Sequence, residues 1–275
     1  MILYQPQMGV KMNTKKKKLK IVDWLPKILF FIFIIVLWQT LYTQKIFPTL
    51  TFPSIQDIGK AFVKSFRDDS MAAILGRSLW LIAKGLIVGI ILAFICSALS
   101  ICFKSFYSVY SMVVSVFDPL PGVALLPLAI LWFGTGEATI IFLIIHSVIW
   151  PMSRNIIDGF NSTPKLLVES GKNIGLTRFS IVTGVYLPAS SPYIISGLRV
   201  GWARAWRALI SAEMIFGATN SGGGIGYYLF IKRYQLETAT VYASLVIIII
   251  LGLIIEYGLF ANLEKRTIKK WGMVR

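Results

Sequence analysis

The chain has 275 residues, 56% of them hydrophobic and only 15% charged, with a mean hydropathy of +0.72. A soluble domain carries about a quarter charged residues, and here the apolar residues cluster into runs near the ~20 that cross a bilayer, which excludes a soluble globular protein and marks an integral membrane one. The net charge of +16 points to membrane topology and lipid headgroups rather than to nucleic acid, because lysines gather near the ends in KMNTKKKKLK (11–20) and EKRTIKK (264–270).

Residues 1–25 read as a basic cytoplasmic tail, with Met12 as an alternative start. The apolar run from Ile28 is too long for a cleavable signal and no small-residue cleavage site follows it. About six membrane helices are expected in an all-α fold, within a transmembrane domain spanning 26–262. The first covers 26–42. Residues 54–69 are amphipathic, with Ile55, Ile58, Phe62 and Phe66 on one face, and should lie at the membrane surface.

The second helix covers 78–102, where Gly85, Gly89, Ala93 and Ser97 form a small-residue stripe that permits close helix contact, within one subunit or between two. Cys96 and Cys102 are six apart on this helix, so they point to different sides and neither pair nor hold a metal. The third helix, 108–133, is broken in FDPLPGVALLP (117–127). Interrupted backbone in a membrane is tolerated where protein or a wet cavity satisfies its carbonyls. The break is either a simple kink or the lining of a translocation path, and the preferred second reading makes Asp118, Pro119, Pro121 and Gly122 candidates for that path.

On the fourth helix, 138–158, His146 lies one turn from Trp150 and serves either as a pore-lining group or as a helix–helix hydrogen bond. Trp80 and Trp132 read as interfacial belt residues. The fifth helix, 191–213, carries Arg204, Arg207 and Glu213, and ionisable groups inside a span default to interior placement. Two readings stay open: the arginines pair with Glu213 or with carbonyls, or they make a positive stretch of path suited to anions. Arg199 should snorkel to the interface. The sixth helix is expected at 238–261, with Glu256 as a boundary charge, and 263–275 as a second basic tail.

With both termini cytoplasmic, 17 of the 28 Lys and Arg fall on inside segments and 7 outside, which satisfies the positive-inside rule. Residues 161–190, between helices four and five, are then cytoplasmic. There Thr163 is expected as an N-cap and Pro164 at the first helical position, with Leu166, Leu167, Ser170, Gly171 and Ile174 at helical spacings. Gly175 stands where a left-handed cap would end the helix. The small pair Ser170-Gly171 suits either close approach by another protein or an interfacial loop helix.

Glu169-Ser170-Gly171, Gly175 and Val185-Tyr186-Leu187-Pro188 resemble the EAA loop of permease subunits of binding-protein-dependent ABC importers. The segments FPSIQDI (52–58), DPLPGVALLPLAILWFG (118–134) and SGLRVGWARAWRALISAEMI (196–215) are similar to the nitrate/sulfonate/taurine branch of that family. The resemblance covers about residues 35–262; it departs in having Ser-Gly for Ala-Ala and Val185 for Ile. It implies a cytoplasmic coupling helix at 164–174 that docks on a separate ATP-binding subunit, with Leu167, Glu169, Ser170, Gly171, Gly175, Leu187 and Pro188 as coupling residues. It also implies a permease homodimer in the bacterial cell membrane, fed by an extracytoplasmic solute-binding protein.

No nucleotide site is expected on the chain itself, so ATP and magnesium would sit on the partner. ESGKNIG has Leu166 where a P-loop requires glycine, and SGGGIG (221–226) reads as an extracytoplasmic turn. A secondary transporter or channel is the alternative. Against it stand the missing inverted repeat and the shortage of coupling carboxylates beyond Glu213 and Glu256. A membrane enzyme lacks any nucleophile–base or paired-ligand constellation.

Overall fold

The computed structural model describes residues 19–216 and 223–267, and among them every regular element is helical. Four helices are long and apolar enough to cross a membrane, and two bent helix pairs bring the number to six if each pair is one span. The outermost parts of both basic tails, and Ser221 and Gly222 of the glycine turn, lie outside the described residues.

The chain divides into two units, residues 1–58 and 59–275. In the first, helix α1 (Leu19–Thr43) leads into a short loop. Trp38 stacks on Phe52 at 4.1 Å and donates its indole N–H to the Pro53 carbonyl at 3.1 Å. Ser54 starts the next helix: its Oγ accepts the Asp57 N–H at 3.0 Å and its hydroxyl donates to the Asp57 carboxylate at 2.7 Å, a reciprocal cap.

The second unit is built around one buried helix. After α2 (Ile55–Arg67) come α3 (Met71–Cys102), α4 (Lys104–Phe117), a 3₁₀ turn (Gly122–Leu125) and α5 (Leu126–Phe133). Helix α6 (Glu137–Asn161) follows and forms the centre. Ile140, Leu143, Ile144, Val148, Met152 and Ile156 on α6 are all buried between α3 and α10 (Ser191–Phe216).

The stripe on α3 makes that packing possible. Gly85, Gly89, Ala93 and Ser97 are all buried, whereas Ile87, Ile91 and Ile95 on the opposite face are exposed, as on a helix with one side toward lipid. A Cβ on Gly85 would collide with the Ile144 side chain, and one on Gly89 would sit 3.0 Å from Val148 Cβ. The stripe therefore packs against α6 of the same chain. From the other side, a Cβ on Gly197 of α10 would sit 2.9 Å from Asn155 Cβ.

Between α6 and α10 lies a compact helical segment: α7 (Lys165–Asn173), α8 (Arg178–Ile181), a π-helical turn (Val182–Tyr186) and α9 (Leu187–Ala189). Residues 178–189 meet α10 at a 74° bend. Gly175 has φ +81°, the left-handed conformation expected of it as a cap. The capping at the other end differs from expectation. Pro164, not Thr163, occupies the N-cap of α7, because the Thr163 hydroxyl turns back to the Gly159 carbonyl at 3.1 Å.

Beyond α10, where the sequence suggests only an extracytoplasmic turn at 221–226, lies helix α11 (Ile225–Tyr234), which packs on α10 and on α12 (Thr238–Leu253). A π-helical turn (Ile254–Phe260) and α13 (Ala261–Arg266) complete the described chain. Tyr228 of α11 donates its hydroxyl to Asp69 at 2.6 Å, and Lys232 meets Glu237 at 3.0 Å. Burial, reinforced by the Asp69 carboxylate, raises the Tyr228 phenol above its ordinary value. Near the far end of the bundle, Arg199 lies 3.0 Å from Glu256 and 3.4 Å from Glu264, so the boundary glutamates pair with α10.

Candidate functional site

The proline-rich break shapes a cleft. Pro119 and Pro121 lack the N–H groups that would continue α4, so the chain turns and α5 leaves at 92° to α4. The opening of about 350 Å³ left at this bend is lined by Asp118, Pro119, Pro121, Gly122, His146, Trp150, Arg204 and Arg207, among others. Seven of the eight path candidates read from sequence are thus brought together, from the break, α6 and α10. Gly122 has to be small here, since a Cβ would lie 2.6 Å from Ser147 Oγ.

Charge in the cleft is unbalanced. Asp118, the C-cap of α4, holds two arginines from different helices. Arg204 of α10 pairs with its Oδ1 and also donates to its backbone carbonyl at 3.0 Å. Arg154 of α6 donates Nε–H to its Oδ2 at 3.0 Å. Arg207 is exposed, uses only Nε–H toward the Ala203 carbonyl at 3.0 Å, and has no acidic partner among the described residues. Two guanidiniums therefore share the Asp118 carboxylate, and Arg207 lines the same cleft without pairing to it.

The wall opposite is aromatic and polar. Phe117 stacks on Trp150 with centroids 5.2 Å apart, and His146 sits edge-on to Trp150 at 5.9 Å. His146 is only 7% exposed, yet neither ring nitrogen has a hydrogen-bond partner among the described residues, and the buried indole nitrogen of Trp150 has none either. The structure thus provides no helix–helix hydrogen bond for His146. Buried donors left open in this way are costly unless something else satisfies them.

Glu213 is the correction. It is 2% exposed and turned away from the cleft, toward α3 and α11. Its carboxylate accepts the Ser78 hydroxyl at 2.8 Å and the Gly226 N–H at 2.9 Å, while Ser78 Oγ accepts the Ile225 N–H at 3.0 Å. A Cβ on Gly226 would strike the Ile210 carbonyl, so the backbone of α11 can reach Glu213 only without a side chain there. The carboxylate fills the N-terminus of a helix, where open N–H groups favour an anion. Neither arginine pairs with it.

Arg154 and Phe117 were not singled out from sequence. The signal for Arg154 was present in the spacing His146, Trp150, Arg154, four residues apart each time, which puts all three on one face of α6. Its pairing to Asp118, 36 residues earlier, had no local sign.

The segment α7–α9 offers a second surface. Leu166, Leu167, Ile174 and Phe179 are exposed there, together with Glu169, Ser170 and Pro188. Gly171 behaves differently from the expectation of an exposed small pair. It is buried against the chain's own turn, with a Cβ meeting Leu176 Cδ1 at 3.3 Å and Val185 Cγ2 at 3.5 Å. Its smallness lets α7 fold back on α8 and the π-turn. Leu187 joins the main core, and the exposed leucines and aromatics are what remains for a partner.

A bundle of apolar helices, a bent broken span beside a charged cleft and an apolar helical hairpin at one end are the features of a transport subunit, and residues 85–269 match the family of the binding-protein-dependent transport system inner membrane component. The chain belongs to that family, the membrane permeases of ABC importers, and is a multi-pass protein of the cytoplasmic membrane. It is 30% identical over 266 residues to a putative ABC transporter permease protein of Methanocaldococcus jannaschii, covering 94% of each chain. It is 26% identical over 239 residues to the taurine transport system permease protein of Escherichia coli, covering 85% of this chain and 86% of that one. With the putative aliphatic sulfonates transport permease protein of Bacillus subtilis the identity is 25% over 266 residues, covering 97% and 94%.

Proposed function

We propose that this permease forms the path of an importer for small sulfonates such as taurine, with the cleft at the α4–α5 break as part of that path. The observation that carries the reading is positive charge beside buried, unpartnered donors: Arg207 without an acidic partner among the described residues, with His146 and Trp150 in the same cleft. Relatives named for taurine and aliphatic sulfonate transport support the solute class. An extracytoplasmic binding protein delivers the solute, and two copies of the permease enclose the path.

Energy comes from cytoplasmic ATP-binding subunits that carry ATP and magnesium and dock on α7–α9 through Leu166, Leu167, Ile174 and Phe179, with Glu169 and Ser170 beside them. Both basic tails then lie in the cytoplasm against anionic lipid.

The test is to tag the chain, purify it from its host's membranes, identify the copurifying subunits and measure ATP-dependent uptake of radiolabelled taurine in proteoliposomes. Copurification of an ATP-binding subunit with ATP-dependent taurine uptake is the expected result. Purification without one, together with uptake indifferent to ATP, would make the chain a secondary transporter.

A further inference from the structure

We propose that Asp118 is the resident counter-anion of an oxyanion-binding site formed by Arg204, Arg207, His146 and Trp150, and that a solute anion binds by replacing the Asp118 carboxylate on Arg204. The proposal rests on the reading of the cleft as the path of an anionic solute, and it assigns that path a defined binding site with an internal competitor.

The geometry points there from three sides. First, Arg204 is already engaged in the manner of an anion-binding residue. A single nitrogen, Nη1, takes both Oδ1 and the backbone carbonyl of Asp118, so the rest of the guanidinium fork is left to meet sulfonate oxygens once the carboxylate leaves. Second, Asp118 has somewhere to go. Its other oxygen is held by Arg154 at 3.0 Å, so the carboxylate can leave Arg204 without losing all compensation. Third, the cleft contains groups with nothing to bind. Arg207 lies one turn along α10 from Arg204 and has no acidic partner among the described residues. His146 is more than nine-tenths buried with both ring nitrogens open, and the Trp150 nitrogen is open as well.

An indole N–H can only donate, and a neutral imidazole donates one N–H; both nitrogens are buried behind the lining, so they serve an oxyanion when their rings turn toward the cleft. With the Trp150 ring, held by its stack on Phe117, in the lining beside Leu120 and Val123, the site suits a singly charged oxyanion carrying a short apolar or polar tail. Binding has a mechanical corollary. Arg204 ties the C-terminus of α4 to α10 through both the side chain and the carbonyl of Asp118, so an anion that takes over Arg204 unties the 92° break from α10.

The test is equilibrium binding of radiolabelled ethanesulfonate to the full-length permease with its copurifying subunits in lipid nanodiscs, without binding protein, and with choline as the cation control. Asp118→Asn removes the competitor and should tighten ethanesulfonate binding about tenfold, whereas Asp118→Asn with Arg207→Gln should abolish it. Arg154→Gln, at a half-exposed side chain where the fold tolerates change, leaves Asp118 only Arg204 to hold and should weaken binding about threefold. The opposite signs of the two single variants are the signature.

Asp118→Asn binding no tighter than the parent, or Arg154→Gln binding tighter, overturns the proposal. Should Asp118→Asn fail to yield folded protein, the sign of the Arg154→Gln effect decides alone. If ethanesulfonate uptake by the intact transporter requires Arg207 and yet Asp118→Asn does not tighten binding, only the counter-anion idea falls. If choline binds and ethanesulfonate does not, the anionic path falls with it.

Discussion

Asp118 and Glu213 are both acids within the apolar bundle, and the protein treats them in opposite ways. Asp118 is held by two cations on two helices at the mouth of a cleft, where its partners remain charged if it leaves. Glu213 is held by a hydroxyl and a backbone N–H in a site 2% exposed. Cations leave an acid exchangeable, because another anion serves them equally well. Neutral donors built into a helix end make it structural. The same residue chemistry thus yields a site in one place and a rivet in the other.

The sharpest way to break this contrast is at Gly226. Gly226→Val drives a Cβ into the Ile210 carbonyl and Glu213, and should cost about 3 kcal/mol, seen as loss of monodisperse protein in detergent. Glu213→Gln keeps the shape but turns an N–H₂ toward donors, and should lower stability by about 2 kcal/mol in thermal unfolding. Asp118→Asn, by contrast, keeps the backbone carbonyl that Arg204 holds and strands only two half-exposed arginines, and should cost less stability than Glu213→Gln. A Glu213→Gln permease as stable as the parent would erase the distinction.

Smaller effects sharpen it. Arg207→Gln should reduce taurine uptake about tenfold with unchanged protein yield, because it removes charge from the cleft and no ion pair. Ile174→Asp should weaken recovery of the ATP-binding subunit while leaving taurine binding by the solute-binding protein unaltered. The smallest concerns Tyr228. Its phenol is raised in the folded state, so the unfolded chain loses its proton first, and the contribution to stability is complete below the unfolded value and lost as pH climbs above about 10. Tyr228→Phe should flatten that alkaline limb.

The membrane helices were legible because a span is written locally, as about twenty apolar residues in a row, and the break at 117–127 because proline removes a donor wherever it stands. Gly85, Gly89, Ala93 and Ser97 announced close packing but not its partner, which α6 supplies through Ile144 and Val148. What the chain did not show was pairing across distance. Nothing near Glu213 tells that Ser78 and Gly226 will claim it, and nothing near Asp118 tells that Arg154 and Arg204 will. Helix α11 was missed because Ile225–Tyr234 is only 10 residues long and follows a run of glycines. Gly171 was read on the right helix and the wrong face, since its spacing with Ser170 fixes adjacency and not direction.

That inward Gly171 bears on how force reaches the membrane. Gly171 seats α7 on Leu176, Ile181 and Val185, and Leu187 a few residues on packs against the main core, so the hairpin is already folded on itself and on the bundle. A partner gripping Leu166, Ile174 and Phe179 therefore loses little of its contact energy to ordering a floppy loop. A push on the hairpin would reach α10, the helix that carries Arg204 and Arg207, across the 74° bend between the two.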